Sequence, residues 1–132
     1  MTVASILSGF GVTVFMFRIQ RELQVREKHP DWPNWLAWAD YLVLAAILLS
    51  LLLVVLPIVA IRDPSAFVLN LAAGSCAAAA VLLAAYPFAI LDHYRIEIGV
   101  RRLGDRMKGE PVERLIVVAA FAFAATALTC VL

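Results

Sequence analysis

The sequence predicts an all-α polytopic membrane protein, with four transmembrane helices in two antiparallel hairpins forming one domain over all 132 residues. Composition is the first reason: 64% of the residues are hydrophobic and 16% charged, against roughly half and roughly a quarter in soluble domains. Segmentation is the second. Four stretches, about 2–17, 36–61, 66–91 and 115–132, are apolar enough to cross a bilayer. The third is the placement of cations, because every one of the 11 Lys and Arg except Arg62 falls between the first and second stretches or between the third and fourth. That asymmetry puts both charged loops in the cytoplasm and both termini on the non-cytoplasmic side. The expected location is a bacterial inner membrane or a membrane of equivalent sidedness. A net charge of +1 divided between two mixed-sign loops gives no footprint for a nucleic-acid partner.

Met1 to Phe17 carries no charged side chain, and Arg18, Arg21, Glu22, Arg26, Glu27 and Lys28 follow it. A cleaved export signal has its positive charge before the apolar run, so this is a retained first helix. It reaches only about 25 Å and just spans. Ile19 and Leu23 keep the apolar spacing, and Arg18 with Glu22 and Glu22 with Arg26 are pairs one helical turn apart. The helix is therefore expected to extend into the cytoplasm and to stop near His29, ahead of Pro30.

Ser5, Gly9 and Thr13 recur every fourth residue in this helix, with Ser8 nearby and Arg18 at its inner end. Two readings stand. These groups line a pore with Arg18 at the mouth, or they form a seam against which another helix packs. Packing is favoured, because no ring of acidic or basic side chains supplies a selective filter. The run Leu7-Ser8-Gly9-Phe10 resembles the start of the first helix of the Orai calcium channels, which are also four-span proteins. Phe17 stands where that family has its calcium-binding glutamate, and the helix here is expected to run the opposite way, so no calcium site is carried over.

The second span is expected over Leu36 to Ile61, with Asn34 as a candidate N-cap and Trp32, Trp35, Trp38 and Tyr41 at headgroup level. Its Leu-rich middle suits a helix that faces lipid, and Pro57 is expected to kink it. Asp40 lies about 9 Å along this helix. An ionisable residue there is a functional candidate, or an interfacial acid paired for assembly, with Arg18 or Arg95 as partner. In the turn that follows, Asp63 is a plausible N-cap and Pro64 a plausible first helical residue.

Ala66 to Leu91 is the stretch placed at the centre. Its unbroken run of small residues from Ala72 to Ala80 lets neighbours approach from every side. Asn70, Gly74 and Ala78 are its candidate packing residues, and Ala122 and Thr126 are theirs on the last span. Beyond Asp92-His93-Tyr94, the residues Ile96, Val100, Leu103 and Met107 describe an amphipathic extension of the third helix into the cytoplasm. Arg101, Arg102, Arg106 and Lys108 are concentrated enough to contact anionic lipid.

No nucleophile, phosphate-loop or metal-ligand motif occurs, so the sequence points away from an enzyme and to no cofactor or metal. One chain has too few helices to cover these small-residue faces, which predicts a homo-oligomer. The leading functional expectation is a small channel or pore-type ion conductor. The alternative is a non-conducting accessory or scaffold subunit of a larger membrane complex.

Overall fold

The computed structural model describes residues 2–28, 37–93 and 111–131. They form four helices: α1 (Thr2–Lys28), α2 (Ala39–Ala60), α3 (Ala66–His93) and α4 (Pro111–Thr129). Each is long and apolar enough to cross a membrane, and the described residues contain no strand. Pro30, Trp32, Asn34 and Trp35 lie outside the described residues, as does everything from Tyr94 to Glu110. The proposed N-cap at Asn34 and the extension of the third helix past His93 fall there.

Burial on α1 follows one stripe, Ala4, Ser8, Gly11 and Arg18, at spacings of four, three and seven. That is a helical face, and it lies against α2. Gly11 permits the approach, since a Cβ there would come within 2.9 Å of Ile47 Cγ1. The inward residues of α2 are Leu42, Val43, Ala46, Ser50 and Val54, while Leu44, Leu48, Leu51, Leu52 and Leu56 stay exposed. The leucine-rich surface is thus open, as its composition suggests. Yet α2 is no peripheral helix, for it touches all three others.

Around Pro57 the winding of α2 changes, a feature the expected kink did not specify. Leu49–Val55 winds as a π-helix between α-helical Ala39–Leu48 and Leu56–Ala60. Proline has no N–H for the carbonyl four residues back and its ring crowds that carbonyl. A wider turn relieves both problems, with the Leu56 N–H donating to the Leu51 carbonyl. The helix ends where Ile61 becomes extended, at φ −101° and ψ 116°.

The start of α3 also departs from expectation. Ser65, rather than Asp63, occupies the capping position, its Oγ accepting from the Val68 N–H at 3.4 Å. The helix starts at Ala66, so Ser65 is the residue immediately before it and Asp63 and Pro64 belong to the preceding turn. From there α3 runs unbroken through Pro87 and contacts each of the other helices. Its packing is shared about equally between α2 and α4. At Gly74 α3 and α4 come close together, since a Cβ there would sit 3.1 Å from the Leu128 carbonyl oxygen.

Helix α4 begins at Pro111, four residues before the expected Leu115. Proline at the first helical position loses no intrahelical bond. The early start brings Glu113 into line with Val117, Ala120 and Ala124, all buried on the inward stripe.

Candidate functional site: a charged junction of three helices

The buried charged side chains gather at the amino end of α2, which Arg18 of α1 and Glu113 of α4 each reach. Arg18 is 6% exposed although it carries a full charge. Its Nε donates to Asp40 Oδ1 on α2 at 3.3 Å, and its Nη1 donates to Glu22 Oε1 one turn further along α1. Asp40 is mostly covered and Glu22 is more open, so the guanidinium is bracketed by one sheltered carboxylate and one solvent-side carboxylate. A buried charge is tolerable only when paired in this way. Asp40 also occupies the first turn of α2, where the helix dipole favours an anion.

Glu113 completes the junction from the third side. It is 1% exposed, and its Oε1 accepts from the Ala39 backbone N–H at 2.9 Å. The opening turn of α2 lacks a side-chain cap of its own, since Trp38 supplies none. A carboxylate from α4 does the capping instead, through a charge-assisted hydrogen bond. Outside the cluster, Arg114 lies over the Trp38 ring at 5.1 Å from its centroid, and Trp38 packs against Tyr41 with ring centroids 6.0 Å apart.

The residues singled out in the first helix divide between two faces. Ser8 and Arg18 belong to the packed stripe, whereas Ser5, Gly9 and Thr13 are exposed. The reason is angular: from Thr13 to Arg18 is five residues, about 500° of rotation, which leaves Arg18 roughly 140° from the Thr13 direction. Arg18 therefore does not stand at the mouth of the Ser5–Gly9–Thr13 face. Hydroxyls on both faces bond back to carbonyls one turn earlier, Ser8 to Ala4 and Thr13 to Gly9, each at 2.8 Å.

Gly74 and Ala78 are buried, but Asn70 is exposed. On α4, Ala122 and Thr126 point outward, the Thr126 hydroxyl donating to the Ala122 carbonyl at 2.9 Å, while the side packed on α3 is the Glu113–Ala124 stripe. Ala122 and Thr126 thus make no intramolecular seam, because their stripe is rotated away from Ala120 and Ala124. Arg95, Arg101, Arg102, Arg106 and Lys108 lie outside the described residues.

Glu113 is the functional side chain that sequence reasoning passed over. The signal for it was its register with the inward stripe, legible only once the helix is known to start at Pro111. Two further buried polar groups were not anticipated: the hydroxyls of Ser50 in the π-helical segment and Ser75 in α3 are fully buried and make no hydrogen bond. Cys76 and Cys130 are free thiols. Among the described residues no three His, Cys, Asp or Glu side chains come together in a way that could hold a metal ion. Comparison of the chain with protein-family models, with curated proteins and with solved structures gave no match.

Proposed function

We propose that this is a small integral membrane protein whose copies assemble around α1 and conduct ions along the face that α1 turns away from its own bundle. The observation that supports this reading is the exposure of Ser5, Gly9 and Thr13 on the side opposite the α2 contact, with no atom of another helix near Gly9. A stripe of hydroxyls and bare backbone gains little from lipid tails and packs well against a second small-residue helix. Because the Thr13 hydroxyl donates its proton to the Gly9 carbonyl, its oxygen lone pairs are left to face outward. Such acceptor oxygens favour a cation over an anion. In this proposal the loops at the charged end face the cytoplasm, α1–α2 and α3–α4 are hairpins, and the Arg18–Asp40–Glu113 junction locks the helices that frame each lane.

A second reading, a non-conducting subunit that binds a larger membrane complex, draws on a different observation. Arg18 is committed to the junction, so it does not stand at the inner end of the Ser5–Gly9–Thr13 face. Reconstitution separates the two. Conduction predicts cation flux from liposomes that exceeds protein-free vesicles and falls sharply in Gly9→Leu and Thr13→Val. Absence of flux from well-folded protein that co-purifies with a stoichiometric larger partner rejects conduction and favours the subunit reading.

A further inference from the structure

We infer that the groove between the amino ends of α2 and α4 is a binding site for one anionic phospholipid. The groove has a volume of about 390 Å³ and is lined by Trp38, Tyr41, Arg114, Val117, Val118 and Phe121. The walls of the groove are apolar throughout, with Val117, Val118 and Phe121 following along α4 to about 10 Å beyond Arg114 by helical rise. They suit an acyl chain, while the Arg114 guanidinium, held over the Trp38 ring that forms part of the wall, lies beside the groove where a phosphate would sit.

That charge is available for such a ligand. Glu113, next in sequence, is turned into the junction and bonds the Ala39 N–H. The ion pairs formed among the described residues, Arg18 with Glu22 and with Asp40, do not involve Arg114. The guanidinium instead rests on Trp38, which orients its donors without neutralising them. Arginine in this setting offers a planar fork to phosphate oxygens. A zwitterionic lipid carries its own ammonium beside the phosphate, so an acidic headgroup is preferred. This site is separate from the basic stretch Arg101–Lys108, and it rests on the reading of the chain as membrane-spanning with this end at a lipid surface.

Native mass spectrometry of the purified full chain, exchanged into detergent containing equal phosphatidylglycerol and phosphatidylcholine, tests it. The expected result is retention of phosphatidylglycerol roughly fivefold above phosphatidylcholine, the ratio that one cation at a membrane surface supplies. To remove the contribution of the basic stretch, the comparison is made in a background with Arg101, Arg102, Arg106 and Lys108 changed to Gln, where the preference is expected to remain and Arg114→Gln to abolish it. Phe121→Ser is expected to reduce retention of both lipids. Equal retention by this background, or a preference that survives Arg114→Gln in it, overturns the inference. So does a change in oligomer mass in Arg114→Gln or Phe121→Ser, because the groove would then be covered by another copy. Failure of the protein to float with liposomes would overturn the membrane reading itself, and is distinguishable from floating protein that shows no lipid preference.

Discussion

Gly9, Gly11 and Gly74 sit in helices of similar character and differ in what a side chain would meet. At Gly74 the obstacle is Leu128 backbone, which cannot move aside. Gly74→Val is therefore expected to destabilise the bundle by about 1–3 kcal/mol, read by denaturation in mixed SDS micelles. At Gly11 the obstacle is the Ile47 side chain, so Gly11→Ala is expected to fall at or below the lower end of that range by the same measurement. Glu113 gives a sharper test. Glu113→Gln keeps a carbonyl acceptor for the Ala39 N–H, whereas Glu113→Leu strands that donor and is expected to cost about 1–3 kcal/mol. If the two variants denature alike, the cap contributes nothing. Ser75→Ala removes a buried hydroxyl that has no partner and is expected to leave stability unchanged or raise it. At this scale the sequence was partly legible. Asp40 and Arg18 could be proposed as partners because both lie near the same membrane surface. Glu113 could not, because it lies two residues after a proline and next to an arginine, as a loop residue would.

Among the elements, α2 departs most from its sequence pattern, and the cause is local. Pro57 can be read as a disturbance in any apolar helix, but not the form the disturbance takes. The π-helical winding depends on the Leu56 N–H reaching the Leu51 carbonyl, with α1 and α3 packed around the segment. Pro57→Ala restores a donor for the Leu53 carbonyl. The expected outcome is a tightening of Leu49–Val55 toward α-helix, seen as slower amide hydrogen exchange across those residues. Unchanged exchange would assign the π-helical turn to packing alone. The start of α4 carries a related lesson. Charge at Glu113 and Arg114 reads as the edge of a loop, yet proline at position 111 is a helix-starting signal, and the helix follows the proline.

For the whole molecule, four helices long and apolar enough to span a membrane were legible from composition and segmentation alone. Which faces meet was less so, because small residues occur on several sides of α1, α3 and α4 and periodicity does not say which side finds a partner inside the chain. The outward face of α1 gives the corresponding test. In a Cys76→Ala, Cys130→Ala background, Gly9→Cys is expected to form covalent dimers in membranes under mild oxidation, and Leu44→Cys, on the exposed leucine surface of α2, is expected to form few. A particle no heavier than the 14.4 kDa chain after detergent correction, together with no Gly9→Cys dimer, would refute assembly through α1. The bond from Glu113 to Ala39 joins residues 74 positions apart, and that separation bears on biogenesis. While the chain is being made, the opening turn of its second helix emerges long before the carboxylate that completes it. Until residue 113 has been made and folded back, the Ala39 N–H has no carboxylate to donate to, so the cap of the second helix is completed only after the third helix has been synthesised.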